Sequence, residues 1–217
     1  MKSSVASRRS PAEKIVLPPL YAIVDAGRKG PTSELLRWAE ELLAGGATLI
    51  QYRNKQGSGR AMLAEARELK RLCGSAARLI VNDRADLCVL AGADGVHLGQ
   101  EDLSAAGARA VLGDALWVGV STHSAEQLRA ASAGPADYVA IGPVFATSSK
   151  ENPDPVVGLE GVRAARAATA RPLVAIGGIT LENCRSVIEA GADSVAVISA
   201  LLDSPRKSVE QFLRILG

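Results

Sequence analysis

The chain has 217 residues, 47% of them hydrophobic and 22% charged, which is ordinary for a globular protein and enough for one large core. A formal net charge of +2 and an aromatic content of 3% exclude a basic nucleic-acid footprint and a set of base-stacking rings. Small molecules are therefore the expected partners, with no nucleic acid and no membrane, and homodimer formation is left open.

Residues 1–15 carry Lys2, Arg8, Arg9 and Lys14 among serines and alanines, without the apolar stretch of a secretory signal. Arg8-Arg9 is followed by Ser-Pro-Ala-Glu-Lys, too polar for a twin-arginine signal. The expectation is a disordered tail over 1–15 and one domain over 16–217. No apolar run approaches bilayer length, and Cys73, Cys88 and Cys184 have no CxxC or ligand-like spacing. A soluble, cytoplasmic protein with small buried cysteines is expected.

From Leu17 the chain repeats a two-part unit, a short β-branched run and then an alanine- and leucine-rich stretch of helical spacing. The first strand is read over Leu20 to Asp25. A helix from Thr32 to Ala44 follows, with Leu35, Trp38, Ala39, Leu42 and Leu43 on one face and Gly45-Gly46 closing it. Further strands are predicted at Thr48 to Arg53, Leu79 to Asp83, Gly95 to Leu98, Leu116 to Ser121, Tyr138 to Val144, Leu173 to Gly177 and Ser194 to Ser199. Helices are predicted near Arg60 to Cys73, Arg84 to Ala91, Ser104 to Leu112, Ala125 to Ala133, Leu159 to Ala168, Leu181 to Ala190 and Pro205 to Ile215. Eight alternating units imply a parallel sheet closed as a single (β/α)8 TIM barrel; an open doubly wound sheet is the alternative.

In such a barrel function belongs at the C-terminal ends of the strands. After the second strand stand Gln51-Tyr52-Arg53-Asn54-Lys55, where alternation puts Gln51, Arg53 and Lys55 on one face and Tyr52 and Asn54 on the other. Two cations at the end of a buried strand are costly unless an anion offsets them, although a solvated strand exit with snorkelling basic ends gives the same letters. The third strand ends in Asn82-Asp83, the fourth leads to Gly99-Gln100-Glu101-Asp102, and the fifth ends in Ser121-Thr122-His123. The sixth runs into Gly142 to Lys150 and a long connection, Glu151 to Gly158, of the length typical of a binding loop. Gly177-Gly178 and Ile198-Ser199 are read as opening directly into helices, where backbone N–H groups bind phosphate. Asp83 and Asp102, near Arg53, Lys55 and Lys150, fit a magnesium ion on a diphosphate, with Asp86 and Glu101 as competing candidates.

Together Gln51-Tyr52-Arg53-Asn54-Lys55, Val81-Asn82-Asp83-Arg84, Gly95-Val96-His97-Leu98-Gly99-Gln100-Glu101-Asp102, Gly119-Val120-Ser121-Thr122-His123, Gly142-Pro143-Val144-Phe145 with Thr147 and Lys150, and Ile176-Gly177-Gly178-Ile179 resemble the thiamine phosphate synthase family. The resemblance spans Leu20 to Leu201 with the blocks in the family's order. It implies a magnesium-dependent transferase that joins a hydroxymethylpyrimidine diphosphate to a hydroxyethylthiazole phosphate, releasing diphosphate. Carried over by position, Gln51, Tyr52, Arg53, Asn54, Lys55, Asn82, Ser121 and Lys150 would hold the pyrimidine diphosphate. Thr147, Ser148, Ser149, Gly178, Ile198 and Ser199 would hold the thiazole phosphate, and Asp83 and Asp102 the metal. Arg53, Lys55, Ser121 and Lys150 would act in catalysis. The family's Thr-x-Thr reads Thr147-Ser148-Ser149 here, and Glu151 to Val157 has fewer lysines than the family pattern. The rival implications are a thiazole tautomerase on the same fold, with His123 moving a proton, and a non-catalytic relative that binds thiamine phosphates. A pentose-phosphate epimerase-like barrel would want metal-binding histidines at strand ends, and only His97 and His123 exist.

Overall fold

The computed structural model describes residues 15–28, 30–147 and 154–217. Strands and helices alternate along it as β1 (Leu20–Asp25), α1 (Thr32–Ala44), β2 (Leu49–Arg53), α2 (Gly59–Cys73), β3 (Arg78–Asn82), α3 (Ala85–Ala91), β4 (Gly95–Leu98), α4 (Ala105–Leu112), β5 (Trp117–Thr122), α5 (Ala125–Ala133), β6 (Tyr138–Ile141), α6 (Gly158–Ala168), β7 (Leu173–Ile176), α7 (Cys184–Glu189), β8 (Ser194–Val197) and α8 (Pro205–Leu216). Each strand pairs in parallel with the next. β8 returns to β1 through Leu20↔Val195, Tyr21↔Ala196 and Ala22↔Val197, so the sheet is a closed (β/α)8 barrel and the open-sheet alternative is excluded.

The period of two along each strand divides the core into two shells. Ala22, Val24, Ile50, Val81, Val96, Val118 and Val195 face outward against the helices. Tyr21, Ile23, Leu49, Ile80, Trp117, Tyr138, Val174 and Ala196 fill the barrel itself. The interior is narrow enough that one large ring needs a missing side chain beside it: a Cβ on Gly119 would lie 2.1 Å from Tyr138 Cζ. Helices α2, α4 and α5 begin where the sequence supplies an oxygen cap, with Ser58, Ser104 and Ser124 accepting from Ala61, Gly107 and Gln127 N–H.

Ile15 and Leu17 pack with the inner shell, and residues 1–14, on which the expected tail falls, lie outside the described residues. At the N-terminal end the barrel is closed by a repeated device. Asp94, Asp137 and Asp193, just before β4, β6 and β8, accept from the backbone N–H of Leu79, Val118 and Leu173 on the preceding strands. Each also pairs with a cation from a helix: Lys70 at 2.7 Å, Arg109 at 2.6 Å and Arg166 at 2.9 Å.

Several strands stop short of the expected ends, and each has a local cause. β3 ends at Asn82 because Asp83 takes φ 62°, which no strand continues. β6 ends at Ile141 because Pro143 has no N–H to donate, although Val144 N–H resumes pairing with Ile176 O at 2.9 Å. Gly177 and Gly178, at φ 103° and 63°, end β7. The two expected direct openings into helices are corrected. A turn capped by Asn183 Oδ1 on Thr180 N–H precedes the short α7, and β8 is followed by one 3-10 turn, Ser199–Leu201. Among the described residues no helix is long and apolar enough to cross a membrane.

Candidate active site

The C-terminal ends of the strands open into a cavity of ≈ 830 Å3. On one side β2 delivers Gln51, Arg53 and Lys55 into it, as alternation requires. Arg53 Nη1 donates to Asp25 Oδ2 at 2.6 Å, and Asp25, buried at the end of β1, is itself fixed by Gly27 N–H at 3.0 Å. The Lys55 ammonium pairs with Asp83, the residue just after the neighbouring strand β3. Asp83 sits in the left-handed region, a conformation that short polar side chains tolerate and that functional sites retain at a cost of about 1–3 kcal/mol. Its N–H is held by His97 O at 2.8 Å.

Asp102 Oδ2 accepts from Gly99 N–H at 2.7 Å. Burial raises the Asp83 carboxyl above its ordinary pKa, Lys55 pulls it back, and the adjacent Asp102 carboxyl pushes it further up. Two carboxyls held this close, with one of them strained into place, fit a divalent cation that would relieve their repulsion. Among the described residues no group of three or more His, Cys, Asp or Glu forms a protein cage for a metal. Two carboxylates with oxygen positions left for phosphate are what magnesium takes. Of the competing candidates, Asp86 pairs with Arg84 on the exposed flank of α3, whereas Glu101 lines the cavity.

The floor is a chain of buried polar groups drawn from five strands. Gln51 Nε2 donates to Tyr21 Oη at 2.9 Å, and Tyr21 Oη lies 3.1 Å from Tyr138 Oη. Tyr138 Oη lies 3.1 Å from His97 Nδ1, and His97 Nε2 lies 2.8 Å from Ser121 Oγ. With Gln51 donating at one end, each hydroxyl has one proton to pass on, so Tyr21 donates to Tyr138, Tyr138 to His97 Nδ1, and His97 Nε2–H to Ser121. Burial lowers the His97 pKa to about 4, keeping the ring neutral and able to accept at one nitrogen while donating at the other. Burial likewise raises both phenols. Gln51 and Ser121 are thereby presented to the cavity in fixed orientations.

On the opposite side stand Thr147, Gly177, Gly178, Ile179, Thr180, Ile198, Ser199 and Ala200. A Cβ on Gly178 would meet Ala146 O at 2.5 Å, so only glycine lets β7 and the segment after β6 close together there. His123 lines the wall between the two sides. Its backbone N–H donates to Gln127 Oε1 at 2.7 Å, and its Nδ1 lies 2.6 Å from Gly142 O and 3.5 Å from Asp154 Oδ2.

The expected residues Gln51, Arg53, Lys55, Asn82, Asp83, Asp102, Ser121, Thr147, Gly178, Ile198 and Ser199 thus share one cavity. Tyr52 and Asn54 do not line it. Their side chains point back toward α2, because they alternate with Gln51, Arg53 and Lys55 along an extended segment, and both bond Glu65. Ser148, Ser149 and Lys150 lie outside the described residues. Sequence reasoning missed Asp25, Tyr21, Tyr138 and His97. The available signal was polar or phenolic groups at inward-facing strand positions, where aliphatic residues would serve packing equally well.

The profile of the family described as thiamine monophosphate synthase matches residues 20–201. The thiamine-phosphate synthase of Koribacter versatilis is 60% identical over 208 residues, 94% of this chain and 99% of that one. That of Azorhizobium caulinodans is 44% identical over 86% of this chain and 88% of its own. The solved thiamine phosphate pyrophosphorylase of Pyrococcus furiosus superposes with a TM-score of 0.82 at 36% identity, covering 91% and 95% of the two chains. The match runs from the first strand to the turn after the last and takes in every wall of the cavity: the chain belongs to the thiamine monophosphate synthase family.

Proposed function

We propose that the protein is a magnesium-dependent transferase that condenses 4-amino-2-methyl-5-hydroxymethylpyrimidine diphosphate with 4-methyl-5-(2-hydroxyethyl)thiazole phosphate, giving thiamine monophosphate and diphosphate. The observation that carries this reading is the facing pair Asp83 and Asp102 with Lys55 and Arg53 beside it, acid and base arranged for a diphosphate that brings its own metal. The thiamine-phosphate synthases to which this chain is 60% and 44% identical support the same reaction.

The residues divide the work. Gln51 and Ser121, held at the two ends of the hydrogen-bonded floor, offer an amide and a hydroxyl suited to an aminopyrimidine, which carries both donors and acceptors. Arg53, braced by Asp25, and Lys55 face the diphosphate, whose charge grows as the carbon–oxygen bond breaks; their stabilisation is therefore greatest in the transition state. Asp83 and Asp102 would hold magnesium, which when bound neutralises charge on the departing diphosphate. The thiazole nitrogen already holds its lone pair, so the attack needs no strong base. Thr147, Gly178, Ile198 and Ser199 would receive the thiazole phosphate across the cavity, joined by Ser148 and Ser149 from the family pattern, which assigns Lys150 instead to the diphosphate. The buried, unpaired cysteines fit the cytoplasm as the place of action.

The test is to incubate purified protein with both substrates and magnesium and to follow thiamine monophosphate by mass spectrometry. Product that appears with magnesium and disappears with chelator is expected. No product, with both substrates unchanged, would overturn the assignment.

A further inference from the structure

Behind the cavity, where β2 faces α2, one carboxylate collects donors from three elements. Glu65 is buried within the apolar stripe of α2 formed by Met62, Ala66, Leu69 and Cys73. Its Oε1 accepts from Thr32 Oγ1, at the first residue of α1, at 2.8 Å. Its Oε2 accepts from Tyr52 Oη and from Asn54 Nδ2, the latter at 3.1 Å. Asn54 Oδ1 in turn accepts from Gln56 N–H at 3.1 Å and Gly57 N–H at 2.8 Å, which folds the chain into a tight turn.

A buried carboxylate is costly unless its lone pairs are used, and here both oxygens are engaged. The Thr32 bond ties two helices together and the Tyr52 bond ties helix to strand. The Asn54 bond does something different: it reaches past the end of β2 to the turn that carries Lys55. Lys55 lies between Asn54 and Gln56, so the turn fixes its backbone on both sides. Its side chain is half exposed, and an ammonium on a four-carbon stem loses much rotamer freedom when it is aimed. A fixed backbone reduces what remains to be ordered when a diphosphate binds.

We propose that Glu65, which touches neither the cavity nor a substrate, is a positioning residue for Lys55: it holds Asn54, Asn54 shapes the turn, and the turn directs the ammonium toward Asp83 and the diphosphate. The inference deepens the proposed reaction and rests on it for the identity of the anion.

The experiment is a double-mutant cycle read by calorimetric titration of inorganic diphosphate with magnesium, alongside KM for each substrate. Glu65→Ala and Lys55→Ala should each weaken diphosphate about tenfold, and the double variant should be no more than about twofold worse than Lys55→Ala alone, the non-additivity expected of residues acting through one another. Glu65→Gln should recover most of the affinity, because its amide oxygen can accept from Asn54 and Tyr52 while its nitrogen donates to Thr32 Oγ1. KM for the thiazole phosphate should not move. Multiplicative losses in the double variant, or equal losses for both substrates, would show that Glu65 only holds the helices and would overturn the proposal. If Glu65→Ala does not fold, Asn54→Ala takes its place in the cycle, with the same outcomes deciding. Failure of the parent to form thiamine monophosphate would sink the reaction, and the diphosphate cycle would still decide the role of Glu65.

Discussion

His97 Nε2 lies 2.8 Å from Ser121 Oγ at the end of a buried chain that starts at Gln51, so the orientation of a cavity hydroxyl depends on the protonation of a ring beneath it. Burial holds the His97 pKa at about 4, below the value near 6.5 of an unfolded chain. Between those values the unfolded state binds more protons than the folded state, so stability is fully present above about pH 6.5 and is lost as pH falls toward 4. The loss should approach about 3 kcal/mol, and urea unfolding followed from pH 7 to 4 should show it. His97→Asn should flatten that slope. An unchanged slope would place the pH dependence elsewhere.

A second prediction concerns the facing carboxyls. Asp83→Asn relieves the repulsion with Asp102 but removes a charged oxygen and weakens the hold on Lys55. The apoprotein should therefore unfold no earlier than the parent, while the magnesium concentration giving half-maximal rate should rise by about tenfold or more, one lost ligand charge being worth at least 1.4 kcal/mol. Asp102→Asn should behave alike. Parent-like magnesium dependence in either variant would remove that residue from the metal site.

The distant foot of the barrel separates stability from activity. Asp137 and Arg109 are both mostly buried, and Asp137 also accepts from Val118 N–H. Asp137→Ala should cost about 3 kcal/mol, the range for leaving one member of a buried pair uncompensated. Asp193 is about half exposed, at 47%, so Asp193→Ala should cost only about 1 kcal/mol, a screened pair plus one backbone bond. Neither change should alter kcat at a temperature where the protein is folded. Equal destabilisation in the two variants would mean that burial does not set the difference.

His123 distinguishes the synthase from a proton-moving enzyme. Its Nδ1 lies 2.6 Å from Gly142 O, which requires a proton on Nδ1 and makes the ring a clasp between β5 and the segment after β6. His123→Ala should lower thiamine monophosphate formation by less than about tenfold, since an essential proton-transfer residue contributes about 100-fold or more. A 100-fold loss, together with thiazole tautomerisation by the parent protein, would favour the isomerase.

The barrel could be read from the sequence because eight β-branched runs alternate with helical stripes, and the direction of Gln51, Arg53 and Lys55 followed from the period of a strand. Asp25 was legible only as a strand end, since its role comes from the register that sets it beside Arg53. Tyr21, Tyr138 and His97 looked like barrel filling; they become a hydrogen-bonded floor only after closure brings β1, β4 and β6 around one axis. Glu65 left a clearer trace, a carboxylate inside the apolar stripe of an amphipathic helix, where an unpaired charge would be costly. The premature ends of β3 and β7 depended on left-handed backbone at Asp83 and Gly177, which spacing alone does not encode.

The last prediction separates the two sides of the cavity. β2, β3 and β4 lead to Lys55, Asp83 and Asp102, while β7 and β8, across the barrel, lead to Gly178, Ile198 and Ser199. Gly178 is left-handed at φ 63°, and a Cβ there would press on Ala146 O at 2.5 Å and Phe145 Cβ at 2.8 Å. Gly178→Val combines that collision with a backbone that β-branched residues avoid, so it should push the segment from Phe145 to Thr147 outward and cost about 100-fold or more in thiazole phosphate affinity, equivalent to displacing the segment by one or two strained contacts. Binding of magnesium diphosphate should stay within about threefold, because among the described residues Arg53, Lys55, Asp83 and Asp102 lie on the other side of the cavity from Gly178. Lys55→Ala should do the reverse: turnover should fall by about 2–4 kcal/mol in activation free energy, the range for removing one electrostatic stabiliser, with thiazole phosphate binding intact. Calorimetric titration of each variant with thiazole phosphate and with magnesium diphosphate reads both effects. A crossed result, in which Gly178→Val loses the diphosphate and Lys55→Ala loses the thiazole phosphate, would exchange the two pockets.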